Sequence, residues 1–349
     1  MAYTDIDKPT DYFNTVTYSG TGSTQSITGV GFQPDWVWGK GRTLAGYNHG
    51  LVDSVRGTGK NIYSNLTDAE ETYSTGITSF GSDGFSVGSG NVFNNGSNTY
   101  VAWNWLASNS TASNTDGDIT STVSANTTSG FSIVKYTGNG SASNIGHGLG
   151  SALKCIIIKK TSATADWLVG HNSLHPTLPW KYGINLSNTG ARHESGTYFA
   201  DTAPTASVFR VEENNEVNAN GATYIAYCFA EKKGFSKAFS YTGNGSTDGS
   251  FTYLGFRPAW VMIKRTDSSA SWTILDNKRD SFNVTETRLF PDTNDADTVG
   301  ANGNTDFLSN GIKMRTSHLG INASGGTYIY MCFASEPFTT STGIPTTAR

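Results

Sequence analysis

The chain has 349 residues, 36% apolar and only 15% charged, with a net charge of -4. That length suits two or three modest domains, and the charge excludes a basic surface that could follow a phosphate backbone. No window approaches the roughly 18 apolar residues of a membrane span, and the start has no basic stretch leading into an apolar run, so neither membrane insertion nor a secretion signal is expected.

Residues 1–17 read as an N-terminal arm. From Tyr18 a first unit begins. A Gly-rich turn, Gly20 to Thr24, leads to the corner Gly31-Phe32-Gln33-Pro34 and the strand-like run Trp36-Val37-Trp38-Gly39-Lys40. The same order returns far downstream, from Tyr241 through Gly243 to Thr247, then Gly255-Phe256-Arg257-Pro258 and Trp260 to Lys264. A weaker copy lies between them. It starts at Tyr136 and reaches Cys155 to Lys160 without the Phe-Pro corner. Pro34 and Pro258 lack an N–H donor, which a strand edge tolerates, so they are expected just before a strand. Phe32 and Phe256 are expected to plug a sandwich end, and Trp36 and Trp260 to be core.

Each copy closes on a similar strand: Tyr100 to Trp105, Tyr224 to Phe229, and Tyr328 to Phe333. The period in these runs is two, not 3.6, and the latter two are apolar on both faces, as in a central strand packed on both sides. Asp-Gly and Asn-Gly pairs at Asp83-Gly84 and Asn310-Gly311 mark tight hairpins. The repeat exceeds one hundred residues, too long for a solenoid or propeller unit. Its size fits one small sandwich per copy. The predicted fold is therefore all-β, with tandem antiparallel β-sandwich domains at 18–107, 131–232 and 233–336. A Ser/Thr/Asn-rich linker covers 108–130 and a polar tail 337–349. The tail and the first dozen residues are expected to order only against a partner. Cys155, Cys228 and Cys332 sit in apolar runs and read as buried free thiols.

Little in the chain reads as catalytic chemistry. His171 and His175 have a four-residue spacing, but Pro176 marks a loop and no carboxylate completes a zinc motif. Gly57 to Asn61 lacks the spacing and the hydroxyl of a phosphate loop. Nothing orders the serines and histidines into a triad. No catalytic residue, metal or cofactor is expected, and the chain reads as a non-enzyme. Asp53 and Arg56 recur as Asp276 and Arg279, and the pair reads as a structural clamp. Aromatic groups in polar loops are the binding candidates: Tyr47 and His49 in the first copy, and His171, His175, Trp180 and Tyr182 in the second.

These motifs, with the opening residues 1–15, resemble a family of virion proteins of marine tailed bacteriophages built from repeated concanavalin A-like, jelly-roll lectin modules. The resemblance spans nearly the whole chain. It rests chiefly on Gly31 to Val37, Gly255 to Val261 and the closing strands at Tyr224 and Tyr328. It implies a non-enzymatic tail or fibre component in the virion that contributes to host attachment. The alternative is an architectural role as head decoration, tail ring or fibre adaptor. The implied partners are other virion proteins, further copies in a homo-oligomer, and a host surface glycan or protein.

Overall fold

The alternating and two-sided apolar runs fold as strands in a computed structural model that describes residues 3–346. Each copy builds a large antiparallel sheet on four strands in one spatial order: opening, closing, lysine, return. In the first copy these are Phe13–Ser19, Thr99–Trp105, Trp36–Gly41 and Gly50–Asp53. In the second they are Phe131–Thr137, Thr223–Phe229, Cys155–Lys160 and Trp167–His171. In the third they are Ser236–Thr242, Thr327–Pro337, Phe256–Arg265 and Thr273–Asp276. The registers agree too: Tyr18 lies opposite Tyr100, Tyr136 opposite Tyr224, and Tyr241 opposite Tyr328. Each pair stacks, with ring centroids 5.2, 5.2 and 4.9 Å apart. The closing tyrosine hydroxyl also accepts a backbone N–H, from Asn95, Ala219 and Ala323 in turn. It thereby fixes the loop that precedes its own strand.

One face of each large sheet packs on a small sheet of its own copy. In the first copy Val37, Val52 and Ala102 meet Ile27, Phe85 and Val87. Comparable private cores form in the second and third. The opposite faces do not meet solvent. Trp36, Trp38, Trp103 and Trp105 of the first copy join Ile157, Trp167, Tyr227 and Phe229 of the second, and Trp260, Met262, Trp272 and Phe333 of the third, in one common core. Strict alternation along a strand is what allows one sheet to serve two cores. Trp36 stacks on Tyr227 at 4.1 Å between centroids, and Trp105 meets Trp260 edge-on at 5.7 Å.

The three copies therefore close into a ring, and the same bonds seal each boundary. Glu70 N–H donates to Thr161 O, Arg192 N–H to Thr266 O, and Asp297 N–H to Arg42 O, at 2.9, 3.0 and 2.7 Å. The lysine of each lysine strand reaches back to the preceding copy in the ring. Lys159 Nζ donates to Thr67 O (2.8 Å), Lys264 Nζ to Thr189 O (2.9 Å) and Lys40 Nζ to Asn294 O (3.5 Å). The same three carbonyls accept the N–H groups of Ala165, Ala270 and Gly46. Burial pulls each lysine ammonium down to about 8, and these carbonyls supply hydrogen bonds in place of lost water.

Several boundaries read from the sequence change. Segment 108–130 is no bare linker: it holds the strands Ala112–Asn114 and Ser121–Asn126, and the latter pairs with the second copy's opening strand. Two aliphatic residues explain this, because Ile119 and Val123 are buried in the second private core. The N-terminal arm ends in the strand Phe13–Ser19, and Ile6 reaches the common core. The tail is ordered against the arm, where Ser341 N–H donates to Asp7 at 2.6 Å; residues 347–349 of it lie outside the described part. Pro34 precedes its strand, whereas Pro258 sits inside Phe256–Arg265, at a bulge that absorbs its missing donor. Phe32, Pro34, Phe256 and Pro258 are all buried. All three cysteines are free and buried. No helix among the described residues is long and apolar enough to cross a membrane.

Candidate functional site

The recurring Asp-Arg pair lies at a ring boundary. Asp53 Oδ2 accepts from Arg56 Nε at 2.6 Å and from the second copy's Tyr227 hydroxyl at 2.8 Å. Asp276 Oδ2 accepts from Arg279 Nε at 2.6 Å and from the first copy's Trp103 indole at 3.1 Å. All four side chains of the two pairs are buried. The pairs hold the return strand to the next sheet.

The second copy has His171 at the aspartate's place, since it lies opposite Cys155 as Asp53 lies opposite Trp36 and Asp276 opposite Trp260. Leu174 stands where the arginine would be. The donor facing it has changed as well. Trp103 and Tyr227 correspond to Met331, which has no N–H or O–H to offer. A carboxylate here would be buried without a partner. Instead His171 Nε2 bonds the third copy's Tyr330 carbonyl at 3.2 Å, while Nδ1 accepts from Ser173 N–H. His171 is thus a neutral core residue and not a surface binding group, and burial pulls its pKa down to about 4.

A pH dependence follows. The folded-state value lies below the ordinary 6.5, so between pH 6.5 and 4 the unfolded chain binds the proton and the folded chain does not. Stability is therefore lost as pH falls through that window. Wild type is expected to lose about 2 kcal/mol more than His171→Gln between pH 7 and pH 4.5. Denaturant unfolding of both proteins at the two pH values checks this. Equal losses would show that His171 does not carry the effect.

Other binding candidates are also relocated. His49 is fully buried, its Nδ1 accepting from the Trp38 indole at 3.0 Å. It lies where the second and third copies place Trp167 and Trp272, beside the buried lysine. Trp180 is buried edge-on to Phe199, and both rings close over Gly170, where a Cβ would come within 2.9 Å of them. Tyr47 is half-buried and receives the Asn95 amide at 3.1 Å.

His175 and Tyr182 are half-buried and come together, with Tyr182 packed against the common core. Their rings stack at 4.8 Å and 8°, with the Arg192 guanidinium 5.6 Å from the centre of the Tyr182 ring. Arg192 is itself fixed by Leu174 O and by its backbone bond to Thr266. His175 and Arg192 form one wall of a groove of about 470 Å³ between the second and third copies. Phe239, Ser240 and Thr242 of the third copy's opening strand form the other, with Thr266 and Thr327 at one end. Phe239 and Arg192 went unnoticed in the sequence. Phe239 sits two residues before the opening Tyr241, where the other copies carry Val16 and Val134. That alignment was the available signal. An imidazole face, a fixed guanidinium and a lining that includes Ser and Thr side chains can bind a polar ligand with flat apolar faces. Among the described residues no cluster of three His, Cys, Asp or Glu side chains could hold a metal ion.

Comparison with known proteins agrees with the ring as the unit. One family model, described as a domain of unknown function (DUF7483), matches residues 8–337 and so takes in all three copies. No curated protein matches the chain. The chain belongs to the DUF7483 family.

Proposed function

We propose that this chain is a non-enzymatic virion protein of a tailed bacteriophage, a tail or fibre component whose ring of concanavalin A-like modules contributes to host-surface recognition. The observation that carries the reading is the groove between the second and third copies. There His175, backed by the Tyr182 ring, and Arg192 face Phe239 across an opening the size of a small saccharide or peptide site. The repeat motifs and their resemblance to phage lectin-like modules support it. Further copies in a homo-oligomer would add avidity to a weak site of this kind.

The test is saturable binding of the labelled protein to intact cells of a panel of marine bacteria, with their purified surface polysaccharide as competitor. Binding to some strains and not others is expected. His175→Ala is expected to weaken it about tenfold, the loss of one stacking contact. A folded protein that binds no strain would overturn recognition and favour the architectural role, and binding that ignores His175→Ala would overturn recognition at this groove.

A further inference from the structure

The second copy shows what covers the open side of one of these sandwiches. Its opening strand, Phe131–Thr137, pairs on one edge with the closing strand and on the other with Ser121–Asn126. The covering segment lays Val123 opposite Val134, and Ile119 bridges to Ile145 of the small sheet. Ile119 and Val123 are four residues apart and both are buried in that copy's private core. Between them run Thr120, Ser121 and Thr122. Just before them, Gly117 lies against the Asn144 backbone, and Asp118 accepts the Asn144 N–H at 2.8 Å.

The first and third copies both have this side open, and of the two only the third places an exposed aromatic side chain at the position of Val134. Its opening strand, Ser236–Thr242, ends its sheet and pairs with Thr327–Pro337 alone among the described strands. The position of Val134, fully buried under its cover, is occupied by Phe239, 50% exposed. Two more aromatics of the adjoining small sheet, Phe251 and Tyr253, are 47% and 56% exposed. Lys237 ties this rim together, with Nζ 5.8 Å from the Phe239 ring centre, 5.7 Å from that of Tyr253, and donating to Tyr253 O at 2.7 Å. A strand edge flanked by exposed rings is a template for a further strand; here Thr242 O already accepts Ser250 Oγ at 2.8 Å and the Asn172 amide reaches Ala238 O at 3.1 Å, so an added strand must displace both.

We infer that the rim formed by Ser236–Thr242 and Phe251–Tyr253 docks an extended strand from another polypeptide, antiparallel to Ser236–Thr242. The occupant's chemistry follows from the cover of the second copy. It is a Ser/Thr-rich segment with two aliphatic side chains four residues apart, which places both on one face of the strand. Opposite Phe239 it carries a side chain smaller than Val123, because the ring takes the space that Val134 leaves. This site binds main chain, and it shares Phe239, Ser240 and Thr242 with the groove between the second and third copies, so a docked strand and a ligand in that groove would exclude each other.

The test uses the full chain and two fluorescent peptides. One is the sequence of residues 116–126 and the other is the same peptide with Val123→Ala. One peptide per chain is expected to bind, with slowed amide exchange over residues 236–242, and the alanine peptide is expected to bind more tightly. Phe239→Asp, a change at an exposed position, is expected to abolish binding. Phe239→Val, the middle copy's residue, is expected to keep it and to favour the unaltered peptide. Absence of binding at millimolar peptide would overturn the inference, as would binding that survives Phe239→Asp. Self-association that protects 236–242 in the free protein and is lost in Phe239→Asp would assign the rim to a second copy instead.

Discussion

Asp53→Ala is expected to destabilise the chain by about 3 kcal/mol, the lower end of the cost of breaking a buried pair, because Arg56 Nη1 keeps Glu70 Oε2 at 3.3 Å. Arg56 has 2% of its side chain exposed, so water cannot replace the lost carboxylate. The Tyr227 hydroxyl loses its acceptor in the same step, so the change weakens both the first copy and its boundary with the second. The middle copy indicates how to repair it. The double variant Asp53→His, Arg56→Leu reproduces His171 and Leu174, and the Ala226 carbonyl lies where Tyr330 serves His171. The double variant is expected to recover at least half of the loss. Denaturant midpoints of the single and double variants decide it. A double variant as unstable as Asp53→Ala would mean that the substitution found at the middle boundary does not transfer.

Trp36→Ala is expected to cost about 3–5 kcal/mol, as truncations of large buried aromatics do. It is also expected to lower the stability of all three copies together. Trp36 touches Trp38 and Trp105 in its own copy, and Phe131, Tyr227 and Phe229 in the second. Its absence therefore opens a void in the common core, which the third copy shares through Trp260 and Phe333. Calorimetry and amide exchange check this: a single transition shifted as a whole, with protection falling in strands of every copy, is the expected result. Loss of protection confined to residues 13–105 would show that the copies unfold independently.

The repeat, the strands and the Asp-Arg pairs were legible in the sequence because local order carries them. Tyr18, Tyr136 and Tyr241 open the same unit, and alternation within a strand is a property of neighbouring residues. Ring closure was not legible, since Lys40 and its acceptor Asn294 lie at opposite ends of the chain. Strands apolar on both faces, such as Tyr224–Phe229, did indicate that each sheet is covered twice, but not that the second cover is shared. His49 misled for a specific reason. The loop between Lys40 and His49 is one residue longer than those between Lys159 and Trp167 or Lys264 and Trp272. That insertion hid its equivalence to two buried tryptophans. Ser121–Asn126 misled by composition, because its Ser, Thr and Asn residues read as loop, and the aliphatic anchors Ile119 and Val123, four residues apart, are too sparse to show a strand's alternation.

The three boundaries of the ring are chemically different although geometrically alike. Two hold a buried aspartate and arginine, and one holds a histidine and a leucine. A trimer of identical subunits could not reach that state, because every substitution would appear at all three boundaries at once. Joining the three units in one polypeptide lets a change at one boundary be tested while the other two keep the ring closed. The same freedom extends to the outer surface, where the second unit has gained a covering strand and the third displays aromatic side chains. A single gene can thus carry three faces that diverge separately, each held in place by the same shared interior.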